Sequence, residues 1–272
     1  MKLRKKYNIY IAALIVLIAA FIVNECIGNS THPRSYQEIK NSGVLRAVTE
    51  YNSVSYYVDS DSIAGFNYEL MKRFARDKGL KLDITPEMSL QKRFLGLEDG
   101  KYDILANNNV TTSELKDSFL FTRPIILNKQ VLVQRKRELV GDSIYIKSQL
   151  DLSNKTLNVV KGSPAINRIH NLSNEIGDSI AIHQIDKYGQ EQLIALVASG
   201  DIDYAVCDEF IAKAALKDFP QLDISTPISF TQFYSWGINK KSKSLLDTIN
   251  VWLDHFVTTK EFEELSQKYF NK

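Results

Sequence analysis

The fold class follows from residues 80–106, which read LKLDITPEMSLQKRFLGLEDGKYDILA. Residues 80–84 and 102–106 are short runs, rich in apolar side chains, with the length of buried strands. Between them, residues 89–98 carry apolar side chains at helical spacing, and Gly100 follows directly. A helix that joins two buried strands is a crossover connection, so this stretch predicts a β-α-β unit of a parallel sheet.

The same pattern repeats along the chain and predicts two sheets. Further strands are expected at residues 44–49, 156–160, 180–185, 204–207 and 230–239, and further helices at 67–78, 164–176, 190–199, 209–216, 244–256 and 260–270. Residues 130–137 and a polar stretch to 149 lie between the two runs. Two runs of alternating strands and helices indicate an α/β protein with two mainly parallel open sheets covered by helices. We expect one lobe from residues 36–132 plus 233–272 and the other from 133–232, joined by two crossing strands.

The composition is that of an ordinary globular protein. Of its 272 residues, 44% are hydrophobic and 24% are charged, which excludes long disorder, collagen and coiled coil. The formal charge of +2 is uneven, because residues 1–30 hold four of the 34 basic residues and one of the 32 acidic residues. The remaining 30 basic and 31 acidic residues leave residues 31–272 close to neutral. A near-neutral surface does not favour nucleic-acid binding, which needs a dense basic face.

The first thirty residues have the character of an export signal. A basic segment at 2–6 precedes an uninterrupted run of aliphatic, alanine and aromatic residues at 9–23. Fifteen helical residues reach about 22 Å, short of the ~30 Å hydrocarbon core, so a signal peptide and a tilted inner-membrane anchor both remain open. In either case the positive flank stays inside and the rest is exported to the periplasm. Lipidation at Cys26 is less favoured, because Glu25 stands where a lipidation signal needs a small residue.

No cofactor or metal is expected. Cys207 lies in an apolar strand and is expected to be a small buried side chain, and with Cys26 it makes no disulfide framework. The four histidines are scattered without metal-ligand spacing. Glycine-rich phosphate loops and nucleophile-elbow motifs are absent from the sequence.

In open α/β sheets the binding crevice lies beyond the carboxyl ends of the strands. The segments at those ends are 50–57, 107–112, 161–163 and 208–209, and they are rich in hydroxyl, amide and aromatic groups. Such loops can hold a polar solute by hydrogen bonds and stacking while closure of the lobes excludes water.

Several motifs, in order along the chain, resemble the family 3 extracellular solute-binding proteins. They are GVLRAVT at 43–49, GFNYEL at 65–70, FTRP at 121–124 and GDIDYAVCD at 200–208. The resemblance covers about residues 36–270. It implies the two-lobed type II periplasmic-binding-protein fold, with a hinge of two crossing strands and a small-molecule ligand between the lobes.

A narrower resemblance is carried by Asn52-Ser53, Tyr68-Glu69, VLVQRK at 131–136 and DISTPISFTQ at 223–232. These residues are similar to the solute-binding module of the membrane-bound lytic murein transglycosylase F family. In that family a catalytic domain follows the module, at the point where this sequence ends, so the resemblance implies binding of a muropeptide or amino-acid-like solute without catalysis. Two alternatives stay open: an amino-acid receptor for the permease of an ABC importer, and a truncated transglycosylase acting with a separate catalytic partner.

One position departs from the amino-acid-binding members of the family. Those members carry a Thr-x-x-Arg segment whose arginine binds the α-carboxylate of the ligand, and the matching positions here are Thr112 and Leu115. Leucine cannot form the two charge-assisted hydrogen bonds, each worth about 1.5–3 kcal/mol. The sequence therefore argues against a standard amino-acid receptor, although Lys116, Arg123 or Lys161 could substitute.

The resemblance and the strand-end rule together select the candidate ligand-binding residues. Asp208 matches the acidic position that pairs with a ligand ammonium, and it would equally serve as a helix N-cap. The backbone N–H groups of Gly162 and Ser163 could bind a carboxylate, or the pair could simply begin a helix. The other candidates supply hydroxyl, amide and aromatic groups: Tyr51, Asn52, Ser53, Tyr56, Asn107, Asn108 and Thr112. Gly65 and Phe66 are expected to be structural, as a tight turn and a core residue.

Overall fold

Two mixed sheets with helices packed on them make up the part of the chain that the computed structural model describes, residues 31–110 and 113–270. The strands are β1 (Val44–Thr49), β2 (Tyr57–Asp59), β3 (Ser62–Ala64), β4 (Lys81–Pro86), β5 (Ile104–Val110), β6 (Phe119–Phe121), β7 (Ile126–Asn128), β8 (Gln130–Arg135), β9 (Thr156–Val160), β10 (Ala181–Ile185), β11 (Ala205–Asp208), β12 (Leu222–Asp223) and β13 (Gln232–Asn239). The helices are α1 (Tyr36–Ser42), α2 (Phe66–Asp77), α3 (Leu90–Glu98), α4 (Ser113–Ser118), α5 (Arg137–Val140), α6 (Ala165–Ile176), α7 (Gln190–Ser199), α8 (Glu209–Ala215), α9 (Lys243–Phe256) and α10 (Lys260–Phe270).

The first sheet contains the β-α-β unit predicted from residues 80–106. Its strand order is β4-β1-β5-β13-β6, with β7 also paired to β13. β4 and β5 lie parallel on either side of β1, and α3 is the connection between them. The added strand β13 runs antiparallel to β5, β6 and β7, so the sheet is mixed. With α1, α2, α3, α9 and α10 it forms what we call the first lobe.

The second sheet repeats this plan with the order β10-β9-β11-β8-β12. β10, β9 and β11 are parallel, whereas β8 and β12 add antiparallel pairs at one side. With α6, α7 and α8 it forms the second lobe. The predicted two-lobed α/β architecture is therefore present, and the short strands β2, β3, β6, β7 and β12 are additions that local periodicity did not indicate.

Two segments cross between the sheets side by side. The chain leaves the first sheet at the end of β7, enters β8 at Gln130, and returns through the segment that precedes β13. The Gln130 N–H donates to Ser229 Oγ (2.9 Å), and the N–H groups of Ile228 and Ser229 donate to the Gln130 carbonyl (2.8 and 3.2 Å). These bonds tie the two crossing segments together, as a hinge of two strands requires. The exact lobe boundaries at 132/133 and 232/233 stay a prediction.

The core of the first lobe joins both ends of the described chain. Phe66 is fully buried beside Phe74 and Trp236, and α9 contributes Trp252 stacked on Phe256 with ring centroids 4.4 Å apart. The expectation that Phe66 is a core residue is confirmed. In the second lobe Cys207 is buried, as expected of a small apolar side chain, and burial raises the pKa of its thiol well above the usual value.

Each helix within residues 31–110 and 113–270 is too short or too polar to span a lipid bilayer. The predicted signal or anchor at 9–23 lies outside the described residues. The same described ranges hold no group of three His, Cys, Asp or Glu side chains placed to bind a metal ion.

Gly65 makes the tight turn that the sequence predicts between β3 and α2. Its φ of +126° is a conformation that L side chains rarely adopt, and a side-chain carbon placed there would overlap the Ser55 carbonyl oxygen. The close approach lets the Phe66 N–H donate to the Val54 carbonyl (2.6 Å), which anchors the loop after β1 on the start of α2.

Gly65→Ala is therefore expected to lower the free energy of unfolding by about 3 kcal/mol or more, because backbone strain and overlap with the Ser55 carbonyl add. Gly79→Ala is the matched control, since Gly79 has a φ of +68° but nothing within 4 Å of the added carbon. That control is expected to lose only about 1 kcal/mol. Urea denaturation of both variants measures the difference, and equal losses would contradict the steric explanation.

Candidate functional site

Two buried carboxylates, one from each lobe, lie at the carboxyl ends of parallel strands. Glu50 follows β1 in the first lobe and is 6% exposed, whereas Asp208 ends β11 in the second lobe and is 7% exposed. Burial raises the pKa of Asp208, and the charge of Glu50 adds to this shift. The two carboxylates are therefore close enough to interact, at the place where the strand-end rule puts a binding crevice.

The carboxylate of Asp208 is held by groups from both lobes. Tyr234, on β13 of the first lobe, donates its hydroxyl to Oδ1 (2.7 Å). Gln190, at the start of α7, donates Nε2 to Oδ2 (3.2 Å), and its Oε1 accepts the Asp208 N–H (2.6 Å). The side chain makes no capping hydrogen bond to α8. Of the two roles open for Asp208, the helix cap is therefore not realised, and its carboxylate faces the junction of the lobes.

Burial raises the pKa of Asp208 to about 6, although the hydrogen bonds from Tyr234 and Gln190 oppose that shift by favouring the ionised form. Burial, together with the neighbouring Asp208, also raises the pKa of Tyr234 well above its usual value. The tyrosine hydroxyl consequently stays protonated near neutral pH and remains a donor. Asp208 is mostly ionised at pH 7 and becomes neutral in mild acid.

A buried arginine, Arg93, pairs with the carboxylate of Glu50. Arg93 on α3 has a side chain only 2% exposed, and its Nη2 lies 3.1 Å from Glu50 Oε2. Its Nη1 donates to the carbonyls of Glu87 (2.6 Å) and Met88 (3.3 Å). Burial lowers the pKa of Arg93, and the charge of Glu50 opposes this. With one guanidinium for two carboxylates, the group Glu50, Arg93 and Asp208 carries a net charge of −1 when Asp208 is ionised.

The loop after β1 reaches across to the second lobe. The Ser53 N–H donates to Glu191 Oε1 on α7 (2.7 Å), and Val54 packs into the apolar core of the second lobe. Phe270, the last residue of α10, packs against Phe210 on α8 with ring centroids 4.2 Å apart. The lobes are therefore in contact in this structure.

Asn52 has a structural use in this loop. It is buried, and its Oδ1 accepts the N–H groups of Val54 (3.1 Å) and Ser55 (2.7 Å). Asn67 supports the same loop from α2, since its Nδ2 donates to Ser55 Oγ (3.1 Å). The side-chain oxygen of Asn52 is thus engaged in shaping the loop.

The two candidate tyrosines of this loop differ in exposure. Tyr56 is buried and packs edge-on against Tyr68, with ring centroids 5.8 Å apart. Tyr51 is 42% exposed, and its ring centroid lies 6.2 Å from that of Tyr56. Tyr51 is therefore the member of the pair that a solute can reach, and contact with a ligand stays a prediction for both.

Gly162 and Ser163 lie at the start of α6, which begins at Ala165, one residue later than predicted. Ser163 Oγ accepts the Ala165 N–H (3.2 Å), so its side chain stabilises the first turn of the helix. The Gly162 N–H donates to Gln184 Oε1 (3.3 Å). The helix-start alternative is therefore realised for Ser163.

Asn107 and Asn108 lie within β5, because this strand continues to Val110 instead of ending at residue 106 as predicted. The strand is longer than predicted because it pairs with the distant antiparallel strand β13 as far as Val110, which lies opposite Tyr234. The side chains of Asn107 and Asn108, and the whole of Thr112, lie outside the described part of the structure.

Leu115 occupies the position of the ligand-binding arginine in amino-acid-binding relatives. Its side chain is half-buried and packs against a small apolar cluster that includes Phe119 and Leu97. Two of the three cations that could substitute already have partners: Arg123 pairs with Asp254 (3.0 Å) and Lys161 with Asp186 (3.1 Å). The third, Lys116, lines a different pocket together with Phe121 and Thr122. At position 115 itself the chain therefore presents an apolar side chain where relatives bind a carboxylate.

The sequence interpretation missed Glu50, Arg93, Gln190 and Tyr234 as individual site residues. Glu50 could have been found, because it follows a predicted strand in the same way as Asp208. Arg93 also leaves a signal, since it is a charged residue on the apolar face of a helix between Leu90 and Leu97. Gln190 and Tyr234 leave no local signal.

Residues 45–272 match the sequence profile of the bacterial extracellular solute-binding proteins, family 3. The chain belongs to this family. The family expectation from the sequence is thereby confirmed.

Curated relatives with similar sequences are named membrane-bound lytic murein transglycosylase F. That of Photobacterium profundum is 25% identical over 256 residues, which are 94% of this chain and 49% of the relative. That of Idiomarina loihiensis is 27% identical over 262 residues, 94% of this chain and 55% of the relative. The chain of this family 3 protein thus spans about half the length of the curated relatives that it matches.

Solved structures of similar fold include arginine-binding proteins. A mutant of ArgBP from T. maritima has a TM-score of 0.73 at 26% identity, covering 87% of this chain and 99% of its own. An ancestral arginine-binding protein bound to arginine also has a TM-score of 0.73, at 25% identity, covering 84% and 98%. The architecture of this family 3 protein is therefore that of the two-lobed type II periplasmic binding proteins.

Proposed function

We propose that this protein is a non-catalytic periplasmic solute-binding protein that holds a small amine-bearing polar ligand, a muropeptide or an amino-acid-like molecule, between its lobes. The observation that carries the proposal is the buried carboxylate of Asp208, which contacts groups of both lobes and caps no helix. A ligand that binds this carboxylate touches the junction of the lobes, so binding and closure are coupled.

The charge of the site favours an ammonium group. Glu50, Arg93 and Asp208 together carry a net negative charge, and a cationic ligand group compensates the buried carboxylate of Asp208. Charge-assisted hydrogen bonds in a water-poor site are stronger than those between neutral groups. Free amino groups of this kind occur in amino acids and in the peptide stems of cell-wall fragments.

Leu115 argues against an ordinary free amino acid as the ligand. The arginine that would bind the α-carboxylate is replaced, and its half-buried apolar substitute offers no hydrogen bond to a carboxylate. A carboxylate buried against apolar atoms without a partner is strongly disfavoured. A muropeptide is therefore the preferred ligand, in keeping with the relatives named lytic murein transglycosylase F.

An amino-acid receptor for the permease of an ABC importer is the second candidate. It is supported by the similarity in structure to arginine-binding proteins. A third possibility is a binding partner of a separate transglycosylase, which the curated relatives suggest. For localisation we propose the periplasm, with export or inner-membrane tethering by residues 9–23.

The test is a thermal-shift series on the full chain with an amine-bearing muropeptide, the same muropeptide acetylated on its amine, L-arginine and L-glutamine. The amine-bearing muropeptide is expected to stabilise the protein by about 2.7 kcal/mol at a hundredfold excess over Kd. Its acetylated form is the matched control and is expected to give a much smaller shift, because the cation is removed.

One outcome would overturn the preferred ligand and another the proposal itself. Strong shifts with L-arginine or L-glutamine and none with the muropeptides would replace the muropeptide by a free amino acid and favour the importer receptor. Release of soluble fragments from purified peptidoglycan by the protein alone would overturn the non-catalytic function.

A further inference from the structure

A cavity of about 440 Å³ lies between the lobes, within the size range of small-molecule sites. Its first-lobe side contains a group of apolar side chains from α3, the segment before it, α4 and β6: Met88, Leu90, Phe94, Leu95, Leu115 and Phe119. Ser89, Gln91, Glu98 and Ser118 line the same side. The rings of Phe94 and Phe119 stack with centroids 5.1 Å apart, so the apolar group has a defined shape. A half-buried apolar surface of this kind favours an apolar ligand group over water.

The opposite wall comes from the second lobe and includes Val160, Lys161 and Gly162. Among the described lining residues the one cation, Lys161, is already paired with Asp186 (3.1 Å). The described lining thus offers this apolar group and no cation without a carboxylate partner. Glu98 and Asp186 add two carboxylates to the lining, so their negative charge disfavours a ligand carboxylate in this cavity.

The cavity adjoins the acidic end of the site. A side-chain carbon on Gly189 would lie 2.8 Å from Met88 Cε, which lines the cavity, and 3.0 Å from Glu50 Oε1. The next residue, Gln190, binds Asp208 directly. A molecule of modest size can therefore place a cation near the carboxylates and an apolar group beside Phe94.

We propose that this cavity binds the apolar group of a primary amine that carries no free carboxylate beside the amine. This is the chemistry of a short peptide whose first residue is apolar, or of an apolar amino-acid amide. The inference rests on the proposed function, because it assumes that the amine is bound at Asp208. Beyond that function, we assign the apolar group of the ligand to a subsite at the position where relatives carry an arginine.

Isothermal titration of the full chain with L-phenylalaninamide, L-phenylalanine and glycinamide tests the proposal. The amide of phenylalanine is expected to bind at least about tenfold more tightly than either of the others, because it alone combines the amine, the apolar group and a blocked carboxylate. L-Phenylalanine controls for the carboxylate and glycinamide for the apolar group.

Two variants of the cavity sharpen the test. Phe94→Ala is expected to weaken L-phenylalaninamide by about tenfold and to leave glycinamide unchanged. Leu115→Arg is expected to reverse the preference toward L-phenylalanine, because the guanidinium supplies the missing carboxylate partner. Leu150→Arg, on a side chain 70% exposed in the second lobe and outside the cavity, controls for the added charge. Melting temperatures show that each variant is folded.

The outcomes separate this inference from the proposed function. If L-phenylalaninamide binds no better than glycinamide, or does not bind at all, the apolar subsite is wrong even where an Asp208-dependent muropeptide binds. If L-phenylalaninamide is preferred and Leu115→Arg reverses that preference, the subsite is supported. If the Asp208→Asn variant still prefers L-phenylalaninamide, the apolar subsite is supported, but the contact between Asp208 and the ligand amine in the proposed function is contradicted.

Discussion

Asp208→Asn is expected to weaken binding of an amine-bearing muropeptide by at least about 30-fold, the equivalent of about 2 kcal/mol, because it removes a buried charge from the ligand ammonium. The neutral amide keeps the size of the side chain, so the loss reports on charge and not on volume. Isothermal titration at pH 7.5 gives the two dissociation constants. Asp203→Asn is the matched control, since Asp203 is half-exposed, paired with Arg135 and remote from the cleft.

The same carboxylate should make ligand affinity depend on pH. Because the pKa of Asp208 is raised to about 6, its ionised fraction falls about tenfold between pH 7.5 and pH 5. Affinity for the ammonium is expected to fall by about the same factor, and Asp208→Asn is expected to show no such dependence. An affinity of the unmodified protein that is constant over this range would contradict a direct contact between Asp208 and the ligand amine.

Stability of the empty protein should change in the opposite direction. A carboxyl pKa of about 6 in the folded state, against an ordinary value of 3.8, means that the folded state binds the proton more tightly. The free energy of unfolding therefore rises as the pH falls through 6, by about 1.4 kcal/mol between pH 7.5 and pH 5. Carboxylates whose pKa is lowered, such as Glu69, lose their stabilising contribution at a lower pH. Urea denaturation at the two pH values, with Asp208→Asn as control, measures the effect.

Arg93→Ala is expected to lower the free energy of unfolding by about 3–5 kcal/mol, because it removes the cation beside the buried carboxylate of Glu50. Two backbone carbonyls, of Glu87 and Met88, lose their donor in the same variant. The exposed pair of Arg123 and Asp254 offers a matched control, since the Arg123 side chain is 63% exposed. Arg123→Ala is expected to change the free energy of unfolding by no more than about 1 kcal/mol.

Urea denaturation of Arg93→Ala and Arg123→Ala measures the two losses in the free energy of unfolding. A loss for Arg93→Ala no larger than that for Arg123→Ala would mean that the Glu50–Arg93 pair contributes little to stability. The expected difference follows from solvation, because water replaces the guanidinium at the exposed site and cannot do so as well in the buried one.

Most of the longer strands and helices of both lobes could be predicted from local sequence patterns. Residues 156–160, 190–199 and 260–270 have the predicted bounds, because apolar spacing and a following glycine or polar turn mark them clearly. The strand β5 runs four residues beyond its predicted end because its partner β13, more than a hundred residues away, completes the ladder. Short strands such as β6 and β7 depend on the same partner and carry little periodicity of their own.

Site residues that directly follow a strand could be predicted from the sequence. Site residues that come from helices or from within other strands could not. Asp208 was identified, but only the structure distinguishes a cleft carboxylate from a helix cap. Asn52 was correctly placed in the loop after β1, yet its side-chain oxygen is engaged by that loop. Hydrogen-bond partners decide these roles, and residue type alone leaves each of them open.

By itself the sequence determined the alternation of strands and helices, the near-neutral body of the chain and the replacement of an arginine by Leu115. These features depend on contacts between near neighbours or on the identity of a single residue, so they can be interpreted locally. Only the tertiary structure decided that Glu50, Arg93, Asp208 and Tyr234 meet, and that Leu115 joins Phe94 in one cavity wall. Their meeting depends on how two lobes pack, which is a sum of many weak contacts between distant parts of the chain.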